Sequence, residues 1–261
     1  MGIQKIKHFI AIASGKGGVG KTTVAVNLAL ALAKQGLKIG LLDADIYGPS
    51  VPIMLDIQQE VEIEQGKIMP LDKFGLKIMS IGFMIDEDQP VIWRGPMVSR
   101  TIKDFLNNVL WGELDYLVVD LPPGTGDPSI TIAQSLPEAL VVIVTTPQKV
   151  ALADVKKAIN MFQKMGKSIA GIVENMSYFC CEHSQERIEI FGKGGGDVLS
   201  RETGLELLGE LPIDIQLRQG GDMGKPLMVD RAESETGIIF QLVAEKLVSS
   251  ISENRQKYYP L

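Results

Sequence analysis

One run of residues near the start of the chain has the composition of a loop that binds phosphate groups: Gly15-Lys16-Gly17-Gly18-Val19-Gly20-Lys21-Thr22. Glycines let backbone N–H groups turn towards a polyphosphate, because no Cβ atom stands in the way. In such a loop Lys21 reaches the β- and γ-phosphates, and Thr22 binds Mg²⁺. We therefore predict a site for Mg²⁺ and a nucleoside triphosphate, with ATP as the expected ligand, formed by Gly15, Gly17, Gly18, Val19, Gly20, Lys21, Thr22 and Thr23.

Carboxylates end two other apolar runs, at positions where parallel strands would carry them to the same site. Leu-Val-Val-Asp120 has the form of a Walker B segment, whose aspartate supports Mg²⁺ directly or through water. Asp43 and Asp45 follow another apolar run, and their spacing places both side chains on one side of an extended chain. We predict Mg²⁺ contacts for Asp43 and Asp120. Helix-capping or solvated loop aspartates are the structural alternatives.

Short apolar runs alternate with helical patterns along the chain, and this order determines the predicted fold. Strands are predicted at 9–14, 38–43, 76–81, 116–120, 140–145, 169–174 and 205–209, and helices at 21–35, 97–110, 128–135, 151–165, 196–203 and 233–250. Several strands are apolar throughout, which is typical of strands buried on both faces. The expected fold class is α/β, a doubly wound and mostly parallel sheet with helices on both faces. We expect a single domain over 1–261, with a loose tail at 253–261.

The composition excludes several classes of function. The formal charge of −6 and the sequence pI of about 5.1, without a basic run, do not favour nucleic-acid binding. The two cysteines are adjacent, so they cannot form a disulfide framework, and this is typical of the reducing cytosol. The N-terminus has no secretory signal, and no apolar stretch reaches about 18 residues. We therefore expect a cytoplasmic protein that does not insert into a membrane.

A loop rich in proline and glycine follows Asp120 directly: Pro122-Pro123-Gly124-Thr125-Gly126-Asp127. The prolines restrict the exit from the strand, and Gly124 is placed to bring a backbone N–H near the γ-phosphate. Such a loop becomes ordered by ATP and is released by hydrolysis. The alternative is a rigid turn that only caps the next helix. A second glycine-rich run, Gly192-Lys-Gly-Gly-Gly196, lacks the Gly-Lys-Thr ending and is interpreted as a flexible connector that opens a helix.

The early lysine of the first loop, Lys16, distinguishes this chain from most nucleotide-binding loops. The form Lys-Gly-Gly-Val-Gly-Lys-Thr resembles the deviant Walker A class, which includes MinD, ParA, the nitrogenase iron protein and Mrp (ApbC). The resemblance implies a homodimer in which Lys16 crosses the two-fold interface to the ATP of the other subunit. It also implies that Lys16, Lys21 and Asp45 are catalytic, with Asp45 positioning the attacking water. Asp154 then holds the crossing lysine, unless it only complements the charge at the start of its helix.

Longer runs resemble the Mrp (ApbC) family of iron–sulfur carrier ATPases in particular, and they extend from about residue 9 to 230. They are Asp43-Ala-Asp-Ile-Tyr-Gly-Pro-Ser-Val-Pro52, Trp93-Arg-Gly-Pro-Met97, Asp120-Leu-Pro-Pro-Gly-Thr-Gly-Asp127, Thr145-Thr-Pro-Gln148, Val173-Glu-Asn-Met-Ser-Tyr-Phe179 and Phe191-Gly-Lys-Gly-Gly-Gly196. The resemblance implies a slow ATPase that binds a [4Fe–4S] cluster between two subunits and delivers it to apo iron–sulfur proteins.

The same resemblance indicates which residues contact the base. Asn175, after the predicted strand 169–174, has the place of an asparagine that reads adenine, because its amide donates to N7 and accepts from the exocyclic amine. Formation of a turn is the alternative for Asn175. Pro212, Ile213 and Asp214 resemble the loop that packs on the base.

The cysteines depart from the family pattern, which places Cys-x-x-Cys after the Asn-Met-Ser-Tyr-Phe segment. Here the run is Phe179-Cys180-Cys181-Glu182-His183-Ser184, so Ser184 stands where the second cysteine is expected. Serine is a poorer iron ligand than a thiolate, and clusters ordinarily use four cysteines. Three interpretations stay open: Cys180 and Cys181 of both subunits bind a bridging cluster, Cys181 and His183 of both subunits bind Zn²⁺, or neither cysteine binds a metal.

A second class of function fits the same nucleotide site. A MinD- or ParA-like protein would use ATP as a switch for spatial organisation without a metal cluster. MinD-type action requires a basic amphipathic C-terminal helix, and ParA-type action requires a basic DNA-binding surface. Neither the segment 253–261 nor the net charge favours these, so an iron–sulfur carrier ATPase is the preferred prediction.

Overall fold

The computed structural model describes residues 3–84, 95–181, 183–184 and 186–258. Within them the strands are β1 (Ile6–Ser14), β2 (Ile39–Asp43), β3 (Ile63–Glu64), β4 (Lys67–Ile68), β5 (Leu71–Lys73), β6 (Leu76–Ser80), β7 (Leu114–Asp120), β8 (Leu140–Thr145), β9 (Ile169–Glu174), β10 (Phe179–Cys180), β11 (Arg187–Ile188) and β12 (Leu207–Glu210). The α-helices are α1 (Lys21–Lys34), α2 (Val51–Met54), α3 (Gly95–Asn108), α4 (Asp127–Ser135), α5 (Lys149–Lys164), α6 (Gly195–Thr203), α7 (Ile215–Asp222), α8 (Leu227–Asp230) and α9 (Glu235–Tyr258).

An eight-stranded sheet runs through the molecule in the order β12-β9-β8-β1-β7-β2-β6-β5. Neighbouring strands are parallel except β5 and β6, which are antiparallel. β1 lies in the interior, between β7 and β8. The strand order reverses at this point, and open α/β sheets bind ligands beyond the carboxyl ends of the strands at such a reversal. The predicted doubly wound, mostly parallel sheet is confirmed.

Side chains of the central strands contribute alternately to two apolar cores, one on each face of the sheet. In β1, Ile10 and Ile12 belong to the core that contains α1 and α9, whereas Phe9 and Ala11 belong to the core that contains α3 and α5. This alternation follows from the two-residue period of a strand. Because helices cover both faces, the middle of each central strand is apolar, and buried polar residues such as Ser14, Asp43 and Asp120 lie at the carboxyl ends.

Several observed elements differ from the predicted ones. The hairpins β3–β4 and β10–β11 and the helices α2, α7 and α8 are not predicted, because such short elements carry no long periodic pattern. The backbone of 253–258, assigned by the sequence to the loose tail, continues α9 as a helix, since Glu, Arg, Gln and Lys are good helix formers. Residues 259–261, and Trp93 and Arg94 of the run ending at Met97, lie outside the described residues. Among the helices described, none is long and apolar enough to cross a bilayer.

Candidate nucleotide-binding site

The glycine-rich loop connects β1 to α1 at the carboxyl edge of the sheet, as the sequence predicts. Gly18 and Gly20 have φ angles of 79° and 82°, in the left-handed region that other residues rarely adopt. A Cβ atom on Gly15 would lie 2.4 Å from the carbonyl carbon of Asp154, and one on Gly20 would lie 2.2 Å from Nδ2 of Asn175. The loop backbone is therefore held between α5 and Asn175, and only glycine fits these positions.

Two side chains at the start of α1 bind the carboxylate of Asp120 at the end of β7. Nζ of Lys21 lies 2.7 Å from Oδ1 of Asp120, and Oγ1 of Thr22 donates to Oδ2 at 2.6 Å. Lys21 forms a longer ion pair with Asp45, with 3.4 Å between Nζ and Oδ2. Lys21, Asp45 and Asp120 are buried, so their charges compensate one another where water solvates them poorly. The structure thus brings these four predicted residues together.

Asp43 lies beside this cluster, because the register of β2 and β7 sets it opposite Asp120. Its buried side chain accepts three hydrogen bonds, from the backbone N–H groups of Asp45 and Val51 and from the hydroxyl of Ser80. β2 ends at Asp43, so Asp45 lies in the segment that directly follows the strand. Ser80 is missing from the sequence-based set, although it carries the same signal, a polar residue at the carboxyl end of a strand.

Three carboxylates and one ammonium group leave this cluster with an excess of negative charge. Burial, together with the charge of Asp120, raises the pKa of Asp43 to about 7. Burial also raises the pKa of Asp120, against the opposing effect of Lys21. A divalent cation would favour the ionised form of both carboxylates. Since Mg²⁺ prefers oxygen ligands, the side chains of Asp43, Asp120 and Thr22 fit the ion that the sequence predicts.

The loop after β7 is bound to the end of β1 in this structure. The N–H of Gly124 donates to the carbonyl of Ser14 at 2.9 Å, and the hydroxyl of Ser129 donates to the carbonyl of Pro122 at 2.9 Å. The N–H of Gly124 reaches a phosphate only if its bond to Ser14 breaks. Its contact with the γ-phosphate stays a prediction.

Asn175 lies directly after β9, where the sequence places it, and its side chain contacts the glycine-rich loop. Nδ2 donates to the carbonyl of Val19 at 2.9 Å, and the backbone N–H donates to the carbonyl of Thr145 at 2.8 Å. Asn175 is buried by these neighbours. It is therefore part of the site, and its contact with adenine stays a prediction.

The loop before α7 lies beside the segment that follows Asn175. The N–H of Ile213 donates to the carbonyl of Tyr178, and Pro212 is buried. Asp214 is the N-cap of α7: Oδ1 accepts two backbone N–H groups of the first turn, and Oδ2 accepts the hydroxyl of Thr236 at 2.5 Å. This capping role is not among the predicted ones, although an aspartate before a helical segment signals it.

Lys16 and Asp154 lie on the same side of the molecule, because Gly15 packs against the backbone of α5 at Asp154. Oδ1 of Asp154 lies 3.0 Å from Nζ of Lys157, three residues further along the helix. Lys16 is partly exposed, and the ion pairs found in the described part of the chain do not include one between Lys16 and Asp154. The pairing of these residues between subunits stays a prediction.

Cys180 and Cys181 lie on the hairpin formed by β10 and β11. Cys180 stands opposite Arg187, and the N–H of Cys181 donates to the carbonyl of Glu186 at 3.0 Å. Neighbouring residues of an extended chain point to opposite faces, so the two thiols of one chain do not face the same way. Both cysteines are partly exposed. Within the described residues, no group of three His, Cys, Asp or Glu side chains that could hold a metal ion forms around them.

Known proteins resemble this chain along most of its length. Residues 5–248 match the family model of the ParA type described as NUBPL iron-transfer P-loop NTPase. The chain is 50% identical over 256 residues to an iron-sulfur cluster carrier protein of Synechocystis, a match that covers 96% of this chain and 72% of that protein. A solved nucleotide-binding protein from Archaeoglobus fulgidus, in complex with ADP, is 40% identical with a TM-score of 0.78, covering 90% of this chain and 92% of that one. The septum site-determining protein MinD of Pyrococcus horikoshii, complexed with Mg-ADP, has the same fold, with a TM-score of 0.69, 24% identity and coverage of 94% and 98%.

Proposed function

The chain belongs to the ParA-type family of NUBPL iron-transfer P-loop NTPases, and from that premise we propose that it is an ATPase that carries iron–sulfur clusters. In this proposal it binds Mg²⁺ and ATP, hydrolyses ATP slowly as a cytoplasmic homodimer, and delivers a cluster to apo iron–sulfur proteins. Neither nucleic acid nor a membrane is a partner. The observation that carries the proposal is the buried contact of Lys21 and Thr22 with Asp120 beside the glycine-rich loop.

Nucleotide binding by this loop requires Lys21 to change partners. Lys21 binds Asp120 and Asp45, so its ammonium group leaves both carboxylates to reach the phosphates. Once Lys21 has left Asp120, bound Mg²⁺ would supply the positive charge that compensates Asp120. Asp43 and Thr22 would be its other ligands from the protein. The relative with 40% identity was solved in complex with ADP, which supports nucleotide binding by this chain.

Asp45 is the residue we assign to the attacking water. The carboxylates of Asp45 and Asp120 both contact Lys21 directly after the glycine-rich loop, so Asp45 borders the place where the loop would hold the terminal phosphates and the attacking water.

Asn175 is the residue we assign to the base, because an asparagine amide has two hydrogens and an acceptor oxygen. One hydrogen of Asn175 binds Val19, which leaves the other hydrogen and the oxygen for adenine. Since the carboxylate of Asp214 caps α7, the loop approaches the base with Pro212 and Ile213.

Homodimerisation is supported by exposed apolar side chains next to Asp154 and the cysteine hairpin. Gly192, after the hairpin, lies against Pro147, just before α5, so the two groups adjoin. Apolar side chains that are exposed together are typical of a surface covered by another protein. A second copy bound here would bring Lys16 of one subunit towards Asp154 of the other and would bring the two cysteine hairpins together. The exposed side chains are Val150 (68%), Ile190 (55%) and Phe191 (37%).

The cluster is cargo in this proposal, and Cys180 and Cys181 are its ligands. Two chains provide four thiolates, which is the number that iron–sulfur clusters ordinarily use. Because the two thiols of one hairpin face opposite ways, binding by all four requires the hairpin to change conformation in the dimer. Zinc bound by Cys181 and His183 of both subunits is the less favoured metal.

Anaerobic reconstitution with iron and sulfide tests the proposal. The wild-type protein is expected to gain visible charge-transfer absorbance with matching iron and sulfide content, whereas the double variant Cys180→Ala/Cys181→Ala gains neither. The double variant still binds Mg²⁺–ATP in this proposal, because the thiols lie outside the nucleotide site. Ser184→Ala is the control for a change in the same hairpin that removes no thiol. Wild-type protein that binds ATP but no iron would contradict the carrier function and leave an ATP-dependent switch.

A further inference from the structure

The chain leaves the sheet at Glu174 and enters α6 at Gly195. We call residues 175–195 the cysteine arm, of which 182 and 185 lie outside the described residues. Asn175, the first residue of the arm, contacts the glycine-rich loop. Cys180 and Cys181 lie near the middle of the arm, on the hairpin β10–β11. The arm is thus a continuous stretch of chain that joins the nucleotide site to the thiols.

The two ends of the arm are held together by the side chain of Glu174. This side chain is only 1% exposed, and its Oε2 accepts the backbone N–H of Gly196 in the first turn of α6. The positive end of the helix dipole also favours a carboxylate at this place. Burial raises the pKa of Glu174, and the hydrogen bond from Gly196 opposes that rise. A buried carboxylate of the chain itself therefore occupies the N-terminus of α6.

The second glycine-rich run is explained by this contact. A Cβ atom on Gly195 would lie 2.9 Å from Oε2 of Glu174 and 2.8 Å from Cα of Pro147. One on Gly196 would lie 3.2 Å from Cβ of Glu174. Glycines at these positions allow α6 to approach Glu174, so the C-terminal part of the run forms a close contact and is more than the flexible connector that the sequence suggests.

On the nucleotide side, the backbone around Glu174 is bound to two neighbouring strands. The carbonyl of Glu174 accepts the N–H of Leu211 at 2.8 Å and the hydroxyl of Ser177 at 3.0 Å. The N–H of Asn175 donates to Thr145 at 2.8 Å, and its amide donates to Val19 at 2.9 Å. The start of the arm therefore contacts the glycine-rich loop directly, whereas its end contacts Glu174 and Pro147.

The hairpin has its own attachment to the body of the molecule. The hydroxyl of Tyr178 donates to Glu235 at 3.1 Å, and the guanidinium of Arg187 lies 4.2 Å from the centre of the Tyr178 ring. Tyr178 precedes Cys180 by two residues, and Arg187 stands opposite Cys180, so all three side chains belong to one face of the hairpin. The position of Cys180 is consequently tied to the same short segment that begins at Asn175.

We propose that Glu174 is a positioning residue that couples the glycine-rich loop to the thiol of Cys180. The inference rests on the proposed function, since it takes nucleotide to bind at the loop and cargo to bind at the arm. A nucleotide that shifts Val19 and Gly20 changes the hydrogen bond to Asn175. Glu174 keeps the two ends of the arm together. A displacement of Asn175 therefore moves the hairpin, because the ends of the arm cannot separate instead.

The alkylation rate of Cys180 by iodoacetamide, with and without Mg-ADP, tests this coupling. Measurement in reduced protein with Cys181→Ala makes the rate report Cys180 alone. Mg-ADP is expected to change the rate by about fivefold or more with Glu174 present. With Glu174→Ala the ratio of the two rates falls to near one, while calorimetry gives an unchanged Kd for Mg-ADP. Gly195→Ala, which moves α6 away from an intact Glu174, is expected to have the same effect.

Two further variants separate positioning from general stability. Glu174→Gln keeps an oxygen that accepts the N–H of Gly196. Mg-ADP is therefore expected to change the alkylation rate of Cys180 in this variant nearly as much as with Glu174. Trp111→Phe removes a buried hydrogen bond to the carbonyl of Phe105, at the opposite end of β7, and is expected to lower stability without changing the ratio. The inference would be overturned if Mg-ADP changed the alkylation rate in both Glu174→Ala and Gly195→Ala as much as with Glu174 and Gly195 intact. It would also be overturned if Mg-ADP left the rate unchanged with Glu174 present. Failure to bind Mg-ADP would overturn the proposed function as well, whereas failure to bind iron in the reconstitution would overturn only the cargo.

Discussion

Nζ of Lys21 lies 2.7 Å from Oδ1 of Asp120, so the cation that the phosphates require is bound to the carboxylate that Mg²⁺ requires. Lys21 is 6% exposed and Asp120 is 0% exposed, so water does little to compensate either charge. Removal of one partner would leave the other charge buried and uncompensated, and phosphates that bind Lys21 compete with Asp120 for the same lysine. The consequences of this relationship can be measured in stability and in binding.

Lys21→Ala is expected to abolish nucleotide binding and to lower the free energy of unfolding by about 3–5 kcal/mol, because it leaves Asp120 buried without its cation. Urea unfolding and calorimetry with Mg-ADP measure the two effects. Adding Asp120→Asn is expected to recover part of the lost stability. Lys7→Ala is the control, since the ion pair of Lys7 with Asp115 is at the surface and is worth about 0.2–1 kcal/mol. A Lys21→Ala variant as stable as Lys7→Ala would contradict the prediction.

Lys16→Ala is expected to bind Mg²⁺–ATP nearly as well as the wild type. Its rate of ATP hydrolysis is expected to fall by about 10³-fold, the effect of removing a positive charge that a partner subunit supplies to the transition state. The reason is the proposed crossing role, in which Lys16, partly exposed in the single chain, reaches the ATP of the other subunit. Steady-state ATPase rates and binding isotherms separate the two effects. Lys157→Ala, which frees Asp154 from its neighbour on α5, is the matched control and is expected to keep the wild-type rate. Equal rates for Lys16→Ala and wild type would reject the crossing lysine.

Stability of the nucleotide-free and metal-free protein is expected to fall as the pH rises from about 4 to about 7. Burial and Asp120 raise the pKa of Asp43 from 3.8 to about 7, so within this range the native carboxyl keeps a proton that the unfolded chain has released. The native state then binds more protons, and the free energy of unfolding decreases with pH. Asp43→Asn has no carboxyl group at this position to titrate, so its free energy of unfolding is expected to decrease less over this pH range.

Urea unfolding in EDTA at about pH 5 and about pH 8 measures this difference. Asp115→Asn is the control, because the hydrogen bond from Lys7 lowers the pKa of Asp115 and so moves its titration below the range. The explanation fails if Asp43→Asn and the wild type have the same pH dependence.

Ser184→Cys is expected to increase the iron and sulfide retained after anaerobic reconstitution, because it creates Cys-x-x-Cys with Cys181. A thiolate is a better iron ligand than a hydroxyl, and the added cysteine lies in the exposed turn of the hairpin. Metal analysis and visible spectroscopy measure the gain. Ser184→Ala, which changes the same position without a thiol, is expected to match the wild type. No gain in iron with Ser184→Cys would argue against the hairpin as the cargo site.

The residues that meet in the candidate nucleotide-binding site could be predicted from the sequence because their signals are local. Gly18 and Gly20 are needed for backbone angles within the loop itself, and Lys21 and Thr22 follow at a spacing set by the first turn of α1. Asp43 and Asp120 end apolar runs, and parallel strands bring their carboxyl ends to one edge of the sheet. The alternation of such runs with helical patterns was likewise sufficient for the fold class.

Tertiary structure decided which partner each of these groups has. Lys21 and Asp120 are 99 residues apart in the chain, and their contact depends on β1 and β7 being neighbours. Glu174 binds the start of α6, 22 residues further along the chain, and a sequence cannot show which distant carboxylate meets which helix. Residue types and short spacings therefore specify the chemistry available, whereas the relative placement of distant strands and helices determines where each charge is bound, because a buried charge is stable only beside the group that compensates it.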